Sequence, residues 1–331
     1  MQSYEALQSA IDSAWELLEA RLTTLPPPLD ALAQRYLTRI SDGDKGHRGY
    51  FSSRLAPPLV FLPLWLRERF RREQPDAAPS EEVTVRIVAS AMWGYLYIRI
   101  QDDLLDEASP ARSQTLLGNV CIFEMAQLLG KLAADSAAFR AAFERAWIDF
   151  TRWTLAEHEQ LLSNAEYDRE RFEQHTRKVA FARIPALAVC TLAGHAALEP
   201  TVERLVDQLG VAYGLTNDVV GWQRDLANGH RTFLLARAGF SRGMPVERAR
   251  HEVREALYGQ GLVIQTLEES AAWQRRAAES AQALGLAEFA DYTRERLALL
   301  DELGYEARLL QLRWVLAGGA AAPGARKETP P

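Results

Sequence analysis

Cysteine is nearly absent. Cys121 and Cys190 are the only two in 331 residues, far apart and each inside an apolar run. No CxxC pairing exists, so a disulfide scaffold is excluded, and both thiols are expected to be buried and free in a reducing compartment. A basic surplus is missing too: 38 Lys and Arg stand against 44 Asp and Glu, a formal net charge of -6. Nucleic acid is thereby excluded as a partner, because neutralising many phosphates needs a clustered positive excess. Any phosphate recognition must be local.

Long uncharged runs are lacking as well. No such stretch approaches the roughly 18 to 20 residues of a membrane span, and the opening MQSYEALQSAIDSAWELLEA has early acids in place of a basic segment followed by an apolar one. The expectation is a cytoplasmic protein without a membrane span. The interior has no Pro/Gly/Ser-rich linker, no repeat of 20 to 50 residues and no β-branched alternation bounded by hairpin signals.

What is present is apolar periodicity. With 48% hydrophobic and 25% charged residues the chain can bury a large core. Segments such as VTVRIVASAMWGYLYIRI, AAFERAWIDFTRWTLAEHEQLL and ARIPALAVCTLAGHAAL carry long apolar faces at helical spacing. Breaks at Leu25 to Pro28, Ser41 to Gly49, Gln74 to Ser80, Ala108 to Ala111, near Leu198 to Thr201 and at Gly239 to Pro245 divide the chain into about ten helices. Several are apolar nearly all round, as in helices buried on several sides. The prediction is an all-α, single-domain bundle over residues 1–316 around a central cavity, with a small, polar, Pro-rich tail at 317–331 expected to be disordered.

Two motifs carry the chemistry. IRIQDDLLDE places Asp102, Asp103, Asp106 and Glu107 at the end of a long apolar helix, with Asp102 and Asp106 four apart on one face. Like charges at that spacing, near a helix C-terminus, cost stability unless a cation neutralises them. Mg²⁺ suits the role through hard oxygen ligands shared with a substrate phosphate, although a solvated acidic helix end has the same sequence. Much further along, YGLTNDVVGWQRDLANGHRTF puts Asn217, Gly221 and Asp225 on one stripe, an amide oxygen and a carboxylate either side of a glycine. Mid-helix Gly221 costs about 1 kcal/mol against alanine, which implies close packing or room beside it.

DDLLDE resembles the aspartate-rich DDxxD motif of class I terpene synthases and trans-prenyltransferases. NDVVGWQRD is similar to the terpene synthase pattern (N/D)Dxx(S/T/G)xxxE, with glycine at the middle position and aspartate for the final glutamate. The resemblance covers roughly residues 40 to 235. It implies the class I isoprenoid synthase fold, about three Mg²⁺ ions held by Asp102, Asp103, Asp106, Asn217, Gly221 (through water) and Asp225, and a prenyl diphosphate substrate of C10 to C20.

The resemblance also implies cationic groups opposite the carboxylates. DKGHRG (Lys45, Arg48) resembles the GKxxR diphosphate segment of trans-prenyltransferases, Arg177 and Lys178 stand where the superfamily keeps a diphosphate-sensing Arg or Lys, and His230 and Arg231 follow the second motif. Arg313 with Trp314 is similar to a C-terminal Arg-Tyr pair. Among the aromatics near the motifs, Trp93, Tyr95, Tyr97, Phe181, Tyr213 and Trp222 are candidates to face a carbocation, while aromatics at helical spacing also simply build cores. Tyr97 and Ile98 occupy the positions that limit chain length in prenyltransferases, implying a short pocket.

Since no second DDxxD stands at the later motif, a one-substrate terpene synthase (a lyase) is the leading expectation. Prenyl transfer is the alternative, supported by Lys45, Arg48 and a TNxxxGxxxD run similar to squalene and phytoene synthases. A non-catalytic helical scaffold is the third. The superfamily often dimerises, and the sequence leaves a homodimer open.

Overall fold

The computed structural model describes residues 2–41, 51, 58, 60–106 and 111–317. These residues are all-helical, with no strand among them. Among the described residues thirteen α-helices follow one another: α1 Gln2–Thr23, α2 Leu29–Ile40, α3 Phe61–Glu73, α4 Glu81–Asp106, α5 Gln114–Asp135, α6 Ala137–Leu161, α7 Arg169–His175, α8 Arg183–Leu192, α9 Glu199–Asn228, α10 Phe233–Arg237, α11 Val246–Arg254, α12 Leu262–Ala283 and α13 Phe289–Leu316. The surplus over the expected ten is α7, α10 and α11, each too short for periodicity to register. A 3-10 helix, Thr176–Ala182, joins α7 to α8, and a π-helical turn, Glu255–Gly259, extends α11. Pro26, Pro79 and Pro245 stand in the breaks, as the lost N–H and fixed φ of proline require.

The described residues form two compact units. One takes in Met1–Arg152, Lys178–Asp207 and Ala277–Thr293; the other Trp153–Arg177, Gln208–Arg276 and Arg294–Pro331. In the first, α4 packs on α1, α3, α5 and α8, so it is covered on several sides. Its side chains explain this: Val88, Ala89, Met92, Trp93, Leu96 and Ile100 are all buried. Trp65, Phe70 and Phe289 are fully buried in the same unit, Trp65 and Phe289 meeting edge to face at 5.6 Å. Helix α5 is long and apolar enough to cross a membrane by length and composition. Its stripe of Leu117, Cys121, Met125 and Leu129 is buried instead, while Leu116 and Phe123 are exposed.

In the second unit a core joins Trp222 of α9 to Leu234 and Leu235 of α10, Val253 of α11, Leu267 of α12 and Leu300 of α13. A smaller cluster joins Tyr167, Phe172, Val211, Leu215 and Phe233. The cysteines are free and buried, and burial pushes the Cys190 thiol up to about 12.

Candidate functional site

The first motif closes a helix that is apolar almost to its end. Asp103 is buried and faces inward. It accepts the Tyr36 hydroxyl at 3.1 Å, an ion pair from Arg39, and a second from Arg99, one turn earlier on α4, at 3.2 Å. Burial, then the Asp103 charge, pushes the Tyr36 phenol far up, so it remains protonated and donates. The carboxylate that sequence reading assigned to metal is therefore already compensated by two guanidinium groups and a phenol. Asp102, 100° round the helix, is half-buried. Asp106 ends α4 with its side chain outside the described residues, where Glu107, Lys45 and Arg48 also lie.

Aromatic rings gather along the helix that leads to this motif. Tyr97 lies 5.5 Å from Trp147 and 6.2 Å from Phe150, and Phe181 lies 5.4 and 5.6 Å from the same two rings. Gly94 makes the approach possible: a Cβ there would stand 2.1 Å from the Phe181 ring. Tyr97 and Phe181 are expected from the sequence; Trp147 and Phe150 join them here, and their i, i+3 spacing on α6 is the one signal of it in the sequence. Trp93 is buried, and Tyr95 meets Phe51 at 6.1 Å. Ile98 is half-buried on the same helix.

The second motif occupies the last turns of α9. Asn217 is exposed, Gly221 half-buried and Asp225 buried. The Asp225 carboxylate folds back over the glycine and takes Arg224 Nη2 at 3.1 Å, while a Cβ at Gly221 would meet Asp225 Oδ2 at 3.1 Å. Asp218 turns away and caps α10, accepting the Leu234 N–H at 2.9 Å. Tyr213 lies one turn before Asn217 with Arg296 stacked over its ring. Trp222 is core, edge-on to Tyr258.

The expected cations are dispersed. Arg177 is exposed and Lys178 half-buried on the 3-10 helix Thr176–Ala182. Arg231 is tied to backbone: its Nε donates to the Phe240 carbonyl at 2.9 Å, Nη1 to that of Ala165 at 2.6 Å, and its N–H to that of Leu161 at 2.8 Å. It fastens the loop that follows α9. His230 is buried, its N–H bonded to the Asp225 carbonyl at 2.8 Å. Arg313 is exposed, and Trp314 Nε1 donates to Glu255 Oε2 at 2.9 Å.

Mg²⁺ would need hard oxygen donors. Asp102 supplies such atoms in one unit, and Asn217 and Asp225 in the other, where the Arg224 side chain that balances Asp225 is 70% exposed and free to swing aside. Among the described residues no three His, Cys, Asp or Glu side chains converge as a ready metal cage. The donor chemistry fits a cation that brings waters and a substrate phosphate with it better than one enclosed by protein. No family model matches the chain, and no curated protein matches it either.

Proposed function

We propose that this chain is a class I terpene synthase, of the isoprenoid synthase fold, that ionises an allylic prenyl diphosphate. The observation that carries the reading is the pair of oxygen-rich motifs in the last turns of two long helices, α4 and α9. Acids there oppose the helix dipole and one another, a local cost that a bound cation offsets. Asp102 and Asp106 are the metal ligands of the first motif, Asn217 and Asp225 those of the second, with Asp103 the anchor that holds α4 to α2. When bound, Mg²⁺ supplies charge neutralisation of the leaving diphosphate.

The carbon to oxygen bond of the substrate breaks heterolytically, leaving an allylic cation and inorganic diphosphate. Arg177 or Lys178 contributes a donor to the diphosphate as its charge develops. The faces of Tyr97, Trp147, Phe150 and Phe181 stabilise the cation by their quadrupoles and keep water away. Cyclisation or rearrangement ends in loss of a proton or capture of water.

The test is incubation with geranyl, farnesyl and geranylgeranyl diphosphates and Mg²⁺, each with and without isopentenyl diphosphate, with products read by mass spectrometry. A hydrocarbon or alcohol from one substrate is expected. A longer diphosphate in its place would establish the prenyl-transfer reading, and no consumption of any substrate the scaffold.

A further inference from the structure

Among the described residues Arg296 is a buried cation without a buried anion. It stands on α13, 3% exposed, with Cζ 4.3 Å from the centre of the Tyr213 ring. Its Nε has no acceptor, and among the described residues no carboxylate pairs with it. The contrast within this chain is Arg183, equally buried and likewise without an acceptor at Nε, whose Nη atoms are met by Asp149, Glu203 and Asp207. Stacking on an aromatic face recovers only part of what desolvating a guanidinium costs. A charge kept in that condition calls for a partner that the described residues do not supply.

A second orphan donor belongs to the same unit. Gln274 of α12 is 1% exposed, and its Nε2 has no acceptor. One turn earlier on α12, Ser270 is fastened to α9 through the Ala212 carbonyl at 2.8 Å and Thr216 Oγ1 at 2.9 Å. That stretch of α9 contains Tyr213, so α12 and Arg296 both address the same turn. The next turn carries Asn217.

We propose that Arg296 and Gln274 form a buried binding site for a phosphate-type oxyanion. A guanidinium presents a planar fork of N–H donors that matches two oxygens of such a group, and a carboxamide N–H adds a third direction. A halide would use one donor direction and leave the fork unmatched. The choice of phosphate rests on the proposed function of the neighbouring Asn217 to Asp225 stripe; the anion site itself does not.

The experiment is done in EDTA, without Mg²⁺, so that turnover plays no part. Inorganic pyrophosphate and geranyl diphosphate are titrated separately into the full chain, Arg296→Met and Gln274→Met, by calorimetry and thermal unfolding. Wild type is expected to bind and to melt higher with pyrophosphate. Arg296→Met is expected to bind at least about tenfold more weakly, and Gln274→Met several-fold more weakly. In anion-free buffer Arg296→Met is expected to melt no lower than wild type, because an uncompensated buried charge has been removed.

Loss of both titrations in Arg296→Met assigns the site to the substrate's head group; loss of the pyrophosphate response alone assigns it to the free anion. Binding of both at wild-type strength overturns the proposal, as does an unresponsive wild type. If Arg296→Met does not fold, Arg296→Lys keeps the charge and loses the fork. It is expected to bind several-fold more weakly, and unchanged binding overturns the site. Because no catalysis is read, a failure here and a failure of the terpene synthase reading are separately visible.

Discussion

The carboxylate of Asp225 rests on the bare Cα of Gly221, four residues back on the same helix, so closely that a methyl group there would stand 3.1 Å from Oδ2. A helix-favouring alanine is worth about 1 kcal/mol at an exposed helical position, and displacing the carboxylate by a few tenths of an ångström costs a similar amount. Gly221→Ala is therefore expected to melt within a few degrees of wild type. Its response to Mg²⁺ with pyrophosphate, measured by thermal shift, is expected to fall because the ligand oxygen has moved. An undiminished response would detach Gly221 from the metal reading.

Asp102 and Asp103 are adjacent and are expected to differ in which property they govern. Asp103→Ala removes the acceptor of Tyr36, Arg39 and Arg99 and is expected to lower stability by about 1 to 3 kcal/mol, the partial exposure of both arginines moderating the loss. Asp102→Asn keeps the size and one acceptor oxygen of the side chain and is expected to lower the unfolding midpoint less than Asp103→Ala does, while turnover of a prenyl diphosphate falls about a hundredfold or more. Denaturant unfolding beside a product assay reads both, and similar activity losses with similar stability in the two variants would undo the division of roles.

Gly94→Ala forces a methyl into the Phe181 ring, since the contact would be 2.1 Å. Overpacking of this kind is expected to cost about 1 to 3 kcal/mol. Phe181→Leu in the same chain should recover part of it, a coupling that a double-mutant cycle measures. Additive effects would show that the ring yields freely.

Arg231→Ala removes two charge-assisted bonds to the Phe240 and Ala165 carbonyls, expected to cost about 2 to 4 kcal/mol and to speed hydrogen exchange in the loop after α9. Lysine, with one ammonium for two separate carbonyls, is expected to restore little. A variant with normal stability but a raised KM would assign Arg231 to the diphosphate instead.

Glu203 is one of three carboxylates around buried Arg183. Burial raises its pKa above the usual carboxylate range, and the pull of Arg183 does not fully reverse that. A carboxyl whose folded pKa is raised contributes stability at low pH and loses it as pH rises through the raised value. Glu203→Gln is expected to melt above wild type near neutral pH, with the difference vanishing below about pH 4.3, where the unfolded glutamate is also protonated. Thermal midpoints from acid to neutral pH test the sign; a wild-type advantage at neutral pH would show that ion pairing outweighs burial.

Much of the fold was legible because helices are local. The 3.6-residue periodicity of the run over 83–100 marked α4, and the LPPP and QPDAAPS breaks fall where α1 ends and α4 begins. The turn at Ser136, the loop after Leu161 and the 3-10 helix Thr176–Ala182 escaped notice, since nothing in their sequences punctuates as strongly as proline or glycine.

The chain's own order of residues determined that it is helical, that Asp102 and Asp106 share a face, and that Asn217, Gly221 and Asp225 form one stripe, because each of these follows from spacing along a helix. Tertiary structure alone decided that Asp103 is anchored to Tyr36, Arg39 and Arg99, that Arg231 holds backbone, that Trp147 and Phe150 join Tyr97 and Phe181, and that Arg296 is buried over Tyr213. The physical reason is range: hydrogen bonds, ion pairs and ring contacts act over a few ångströms between residues far apart in sequence, and no local pattern records who meets whom.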